Sequence, residues 1–189
     1  KIIDSNWNTL LHKLVKNEEY NFHFRLICKA YYLYSNNKKP FFNWFFSENT
    51  SKMTVLDLAT MYENKKILKY LFSVISKTTI SKLEVDKKHK KNTIFYYASK
   101  NNKIYSLIFW YMKLQPLFPD IKLIDIPNQP KITPLHSACY NGSIEAIKIL
   151  IDLGSNINAV DIDGKSVLTY AVYSEHVNEF MIKKLLYYG

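Results

Sequence analysis

Glycine and arginine are scarce in this chain of 189 residues. It contains four glycines, and Arg25 is its only arginine. Loops that wrap a phosphate group in backbone amides depend on glycine, so such loops are hard to build here. The chain also has no Gly-x-Ser-x-Gly or His-Glu-x-x-His motif, the local patterns of two large hydrolase groups. We therefore expect no catalytic residue, no cofactor and no metal site in this chain.

Cysteine and long apolar runs are scarce as well. Cys28 and Cys139 are too few for a disulfide framework, and this favours a reducing, intracellular compartment. No apolar run approaches the roughly 18–20 residues needed to span a bilayer, and no secretory signal is visible at the start. We expect a cytoplasmic location, or the cytosolic face of a membrane if the parent protein is membrane-embedded.

Positive charge is plentiful, with a formal net charge of +10 carried almost entirely by lysine. Abundant Lys, Asn, Tyr and Ile beside little Gly, Ala and Arg are typical of an AT-rich genome, such as that of a parasite or a large DNA virus. The charge is then a compositional bias, or else it steers the chain toward an acidic partner. Nucleic acid is the weakest candidate, because direct base reading favours arginine.

One segment carries a dense set of helix signals. Thr133 can cap a helix through its hydroxyl, and Pro134 suits the first helical position. Gly142 ends that helix after about two turns. A second helix is predicted from Ser143, as its cap, to about residue 153, and Gly154 ends it.

The order of these signals resembles the ankyrin-repeat family. Thr133 to Ala138 read Thr-Pro-Leu-His-x-Ala, and a glycine, an apolar helix and a second glycine follow. The resemblance implies an all-α solenoid of helix-turn-helix units with short β-hairpin fingers. It also implies that His136, and His12 at the matching position, tie finger backbones together by hydrogen bonds.

Related copies recur along the chain. A hydroxyl residue precedes an apolar helix at Thr9, Thr54, Thr93, Thr133 and Ser166. The expected repeats cover residues 4–48, 49–87, 88–127, 128–160 and 161–189 of a single domain, residues 1–189. The last repeat is truncated and the chain does not begin with Met, so we expect a piece of a longer protein.

The second helices show apolar stripes at helical spacing, which predict their buried faces. These stripes are Phe22, Leu26, Ile27, Ala30 and Leu33; Ile67, Leu68, Leu71 and Phe72; Ile104, Leu107, Ile108 and Tyr111; and Phe180, Met181, Leu185 and Leu186.

Partners of ankyrin repeats usually contact the concave face formed by finger tips and first helices, and register assigns positions to that face. The predicted binding residues are Met53, Met61, Tyr62, Lys90, Asn92, Lys100, Asn101, Gln129, Ile132, Tyr140, Asn141, Asp163, Lys165 and Tyr173. Tyr62, Tyr140 and Tyr173 are the expected anchors, since tyrosine combines a large contact area with a polar tip. The alternative is that each ring packs against the next first helix.

Two further segments have two interpretations each. Residues 87–91, Lys-Lys-His-Lys-Lys, form either a solvated finger tip or an anion-attracting one. Residues 40–46, Pro-Phe-Phe-Asn-Trp-Phe-Phe, either pack beneath an insertion or expose an aromatic anchor. Trp7, Lys52 and Lys91 stand where the family usually has the turn glycine of the finger.

These observations predict a non-catalytic, monomeric module that holds a segment of another protein, acidic in character, in its groove. It would recruit partners or substrates for a larger parent, for which an ankyrin-type palmitoyltransferase is one example and a cytosolic scaffold or viral host-range factor another. The alternatives are an electrostatic adaptor to anionic membrane or nucleic acid, and a regulatory domain acting on its own parent.

Overall fold

The computed structural model describes residues 10–34, 47–74, 93–128 and 130–189. The chain divides into two compact units, Lys1–Ser76 and Lys77–Gly189, and each is considered separately. Trp7 and the segments 40–46 and 87–91 lie outside the described residues. None of the helices within the described ranges has the length and apolar character that a membrane crossing requires.

The first unit contains four α-helices in its described part. They are α1 (Leu10–Leu14), α2 (Asn21–Tyr34), α3 (Val55–Met61) and α4 (Lys65–Val74), and a 3-10 turn at Glu18–Tyr20 leads into α2. Helix α1 contacts α2 and α3, and α2 packs on α4.

The second unit contains six α-helices in its described part. They are α5 (Ile94–Lys100), α6 (Ile104–Leu114), α7 (Pro134–Tyr140), α8 (Ile144–Asp152), α9 (Val167–Val172) and α10 (Glu179–Tyr188). The first helices of successive repeats lie side by side, because α5 packs on α7 and α7 on α9. Two 3-10 turns, Gln115–Leu117 and Leu123–Asp125, occupy the long connection between α6 and α7.

The all-α class is as expected, but the fingers contain less β-structure than the predicted hairpins. Among the described residues the only β-pairing is an isolated antiparallel bridge between Val160 and Ser166. Each finger in the described ranges is instead a tight turn that side chains hold in place.

Hydroxyl caps begin the first helices, as predicted. The side chains of Thr54, Thr93, Thr133 and Ser166 each accept a hydrogen bond from the backbone N–H three residues later, at 3.1–3.4 Å. Each cap residue has extended backbone geometry. Because these bonds satisfy N–H groups that the helix leaves unpaired, they fix the start of each repeat.

A polar side chain before the second helix links neighbouring repeats. Asn64 Nδ2 donates to the Val15 carbonyl at 3.2 Å, and Ser143 Oγ donates to the carbonyl of Lys100 at 3.2 Å. Ser174 Oγ donates in the same way to the Tyr140 carbonyl at 2.7 Å. Lys100 and Tyr140 are the last residues of the preceding first helices, and Val15 directly follows the last residue of α1. Ser143 is the N-cap residue of α8, as predicted, but its hydroxyl makes this inter-repeat bond and no capping bond.

The predicted buried stripe of α2 was also wrong in part. Phe22 and Leu26 are exposed, by 71% and 52%, whereas Phe24 and Cys28 are fully buried. The Phe24 ring meets Tyr70 of α4 edge to face, with centroids 6.3 Å apart. Because α2 is apolar on more than one face, the spacing of its apolar residues alone did not identify the stripe that contacts α4.

In the later second helices, too, the predicted buried stripe is right at some positions and wrong at others. Leu107 in α6 and both Met181 and Leu185 in α10 are buried as predicted. Ile108 is exposed, while Trp110 fills the core instead. In α4, Ile67, Leu68 and Leu71 are buried as predicted and Phe72 is half-buried, and in α10, Phe180 and Leu186 are exposed.

Candidate functional site

Buried histidines connect first helices to the fingers that follow them. His136 Nδ1 accepts from the Thr133 N–H at 3.3 Å, so Nε2 carries the ring proton and donates to the Lys165 carbonyl at 3.3 Å. His12 Nε2 donates in the same way to the Met53 carbonyl at 3.2 Å. Burial lowers the pKa of both imidazoles. Both therefore act as neutral structural links, as the resemblance implied.

An Asn or Asp side chain holds each described finger, and sequence reasoning missed this role. Asn49 Oδ1 accepts from the N–H groups of Ser51 and Met53, both at 3.0 Å. Asn128 Oδ1 accepts from the N–H of Ile132 at 2.9 Å. Asp161 Oδ1 does the same for Asp163 and Lys165, at 2.8 and 2.9 Å. The available signal was an Asn or Asp five residues before each helix cap.

The finger turns also place residues in the left-handed region. Gly164 has φ +76°, and Lys52 and Lys131 occupy the matching position with φ +58° and +68°. The absence of glycine in these fingers therefore does not change the turn. It makes the turn more costly, because a side chain disfavours positive φ.

A cavity of about 300 Å³ opens where three successive first helices of the second unit meet. Its walls are Tyr96 and Lys100 from α5, Ile132 from the finger, Ser137 and Tyr140 from α7 with its C-cap Asn141, and Tyr170 from α9. Four of these were predicted binding residues: Lys100, Ile132, Tyr140 and Asn141. The structure thus brings together positions that sequence register could only assign one repeat at a time.

Tyr96 and Tyr170 line the cavity but were not predicted. The Tyr170 hydroxyl donates to Asp161 Oδ2 at 2.7 Å, and this bond lowers the pKa of the Asp161 carboxyl. The Tyr170 ring lies edge to face against His136, with centroids 4.9 Å apart, and near Tyr140 at 6.2 Å. Tyr170 therefore connects the finger, the buried histidine and the cavity wall.

The three predicted anchors are all solvent-accessible. Tyr140 is 54% exposed although it contacts Tyr170, and Tyr173, the C-cap of α9, is 74% exposed. In the first unit Tyr62 is 44% exposed, with the Lys16 ammonium 5.9 Å from its ring centre. Each ring keeps enough free surface for a partner, so the binding interpretation stays a prediction at all three positions.

The remaining predicted residues have mixed environments. Asn101 and Asn141 are helix C-caps whose Nδ2 atoms donate to the carbonyls of Tyr97 and Ser137 at 2.9 and 2.8 Å. Asp163 and Lys165 are exposed at a finger tip, where Lys165 Nζ lies 3.7 Å from an Asp163 oxygen. Met53 and Met61 are half-buried in the first unit. Thr9, Lys90, Asn92 and Gln129 lie outside the described residues.

The predicted glycines both end helices. Gly142 has φ +63° after α7 and Gly154 has φ +82° after α8. Pro134 occupies the first position of α7, as its missing N–H allows. The two cysteine thiols are buried, and burial raises the pKa of each to about 12. Both thiols thus stay protonated at neutral pH.

Comparison with known proteins supports the repeat architecture. The family described as ankyrin repeats (3 copies) matches residues 95–189. The chain is 37% identical over 67 residues to the B-cell lymphoma 3 protein homolog of Mus musculus. That match covers 35% of this chain and 14% of the mouse protein.

A second similarity is to the DNA replication inhibitor plutonium of Drosophila melanogaster, with 39% identity over 54 residues. It covers 29% of this chain and 30% of the fly protein. The chain thus spans less than a third of either relative. The matched family, the hydroxyl-capped helix pairs and the histidine links all indicate the same repeat architecture. This chain belongs to the ankyrin-repeat family, whose repeats are non-catalytic modules that generally mediate protein–protein interaction.

Proposed function

We propose that this chain is a protein-binding module that holds an extended segment of a partner along the first helices of its second unit. The supporting observation is the cavity shared by α5, α7 and α9, with tyrosine side chains from all three helices. Tyrosine is enriched at positions that dominate binding energy, and a side chain seated between rigid helices loses little entropy. No bond-making step is required of any residue.

The tyrosine positions on this face also favour peptide binding. Tyr140 and Tyr173 are exposed, and Tyr140 borders the cavity. Both residues lie at the end of a first helix, where the chain turns toward the second helix. A partner that covers both rings would remove exposed aromatic surface from water, which is the main source of affinity in such interfaces.

The test is a peptide-display selection on the immobilised chain, followed by fluorescence anisotropy with the enriched peptides. We expect Tyr140→Ala and Tyr173→Ala each to weaken binding by about 1–2 kcal/mol, or roughly five- to thirtyfold. Tyr187→Ala is the matched control, because Tyr187 is 80% exposed on α10, a second helix of the same unit. Enriched peptides that bind both tyrosine variants as tightly as the wild type would refute the proposed surface.

The same peptides discriminate the alternative of an electrostatic adaptor. General attraction to the +10 charge would give a steep loss of affinity with salt and little dependence on either tyrosine. The proposed groove predicts that affinity depends weakly on salt and strongly on Tyr140 and Tyr173. A cis-regulatory role would show itself differently, as altered activity of the full-length parent when this segment is deleted.

Within its parent we propose that the chain acts as a monomeric, cytoplasmic recruitment domain. An ankyrin-type palmitoyltransferase is one parent that fits this role. The two relatives carry different names, a lymphoma-protein homologue and a replication inhibitor, and each match covers under a third of the relative. A downstream Asp-His-His-Cys stretch between apolar spans in the parent sequence would support the enzyme. Its absence from the complete parent would argue for a scaffold.

A further inference from the structure

We infer that the cavity between α5, α7 and α9 is a subsite for the carboxylate of an acidic residue in the bound peptide. This inference rests on the proposed peptide-binding function and names the chemistry of one of its contacts. Two observations carry it: a cation at the cavity that forms no ion pair with any described residue, and the absence of a carboxylate among the described lining residues.

Lys100 supplies the cation. It is exposed at the end of α5, it lines the cavity, and it makes no ion pair with any residue in the described part of the chain. Its neighbours in the cavity wall are tyrosines, an asparagine, a serine and an isoleucine. Among the lining residues, a carboxylate that enters this space therefore meets an ammonium group and no negative charge.

One carboxylate bonds to a residue of the cavity wall, and it is already occupied. Asp161 is buried, and it accepts from the Tyr170 hydroxyl and from two finger N–H groups. It is therefore not free to approach Lys100. The Tyr96, Tyr140 and Tyr170 rings supply apolar walls for the methylene groups of a glutamate or for a neighbouring apolar residue.

The test uses a random peptide library selected on the wild-type chain in parallel with Lys100→Glu and Lys148→Glu variants. Lys148 is the matched control, because it is an exposed lysine of the same unit on α8, outside the cavity, and gives the same change of net charge. We expect wild-type selection to enrich Glu or Asp at one position. For those peptides Lys100→Glu should weaken binding at least about tenfold and Lys148→Glu about twofold or less.

Peptides with Gln in place of the acidic residue test whether the contact depends on charge. We expect Lys100→Glu to leave their binding unchanged, because they carry no negative charge for Lys100 to attract. Thermal unfolding of the free Lys100→Glu variant checks its fold.

The outcomes separate the two proposals. Enriched peptides without an acidic preference that still require Tyr140 would overturn this inference and leave the proposed function standing. Equal losses with Lys100→Glu and Lys148→Glu would also overturn it, since the charge effect would then be general. A library that yields no binder would count against both.

Discussion

The turn at Gly142 offers a sharp test of how the fourth and fifth repeats fit together. Gly142 has φ +63°, and a Cβ built there would lie 2.3 Å from the His176 Cβ and 3.1 Å from its Cγ. Real Cβ atoms do not approach so closely, so an alanine must displace the turn that carries His176. Gly142→Ala therefore lowers the free energy of unfolding in two ways. The alanine strains the left-handed backbone, and its Cβ clashes with the neighbouring repeat.

Gly164 isolates the backbone cost. It has φ +76°, and a Cβ at that position would meet no atom within 4 Å. Gly164→Ala should then cost only the left-handed penalty of about 1–2 kcal/mol. Gly142→Ala should cost about 1–3 kcal/mol more, the usual range for a group forced into packed space. With a urea slope of roughly 2 kcal/mol per molar, that difference moves the midpoint by about 0.5–1.5 M.

Trp110 reports the transition, because it is buried in α6 of the same unit. Trp7→Phe and Trp44→Phe in the background leave it as the only tryptophan. His176→Gly should recover most of the extra cost of Gly142→Ala, whereas His176→Ala should not, since alanine keeps the clashing Cβ. Equal midpoints for Gly142→Ala and Gly164→Ala would refute the reasoning and show that the His176 turn moves aside freely.

Three further predictions concern the fingers and the buried histidine. Lys52→Gly and Lys131→Gly should each raise the free energy of unfolding by about 0.5–1 kcal/mol, measured by urea denaturation, because glycine tolerates the positive φ of these positions better than lysine does. Asn128→Ala should lower the free energy of unfolding by about 1–2 kcal/mol in the same assay, because the finger N–H of Ile132 loses its acceptor. His136 has a pKa lowered by burial, so its unfolded form binds a proton more readily than its folded form. Stability should therefore be full above about pH 6.5 and decline below it, by up to about 1.4 kcal/mol per pH unit, in denaturation curves recorded across that range.

Each of these predictions has a control. Lys165→Gly, next to the turn glycine but outside the left-handed positions, should not stabilise the chain; a gain as large as that of Lys131→Gly would contradict the first. Asn128→Asp keeps the acceptor and should retain most of the stability, so a loss equal to that of Asn128→Ala would count against the second. His136→Gln should reduce the pH dependence below pH 6.5 and leave the part that the buried His12 contributes. An unchanged slope would show that His136 is not a source of the pH dependence.

The helix starts were predictable because a cap is a local interaction. The hydroxyl of Thr54 or Thr133 accepts a hydrogen bond from a backbone N–H three residues away. The residue type at the cap position therefore predicts where the helix begins. The histidine links followed from the motif for a related reason, since the position of His136 in the repeat fixes which finger it reaches. The Asn and Asp residues before the caps carried an equally local signal that the sequence reasoning overlooked.

The buried face of each second helix was not predictable from spacing alone. In α2 the stripes containing Phe22 and Phe24 are both apolar, and only contact with α4 buries the second. The Ser143 hydroxyl had two possible partners, a backbone N–H of its own helix and the Lys100 carbonyl of the neighbouring repeat, and the approach of α5 decided between them. Register assigned Lys100 and Tyr140 to a binding face, but it could not show that they share one cavity.

By itself, the sequence determined the repeat family, the starts of the first helices at Thr54, Thr93, Thr133 and Ser166, and the glycines that end α7 and α8. These depend on interactions within a few residues, which residue identity specifies directly. Tertiary structure alone decided which apolar stripe is buried, which hydroxyl crosses between repeats and where three tyrosine-bearing helices enclose a cavity. Those features depend on distances between segments about 30–40 residues apart, which form only when repeats stack.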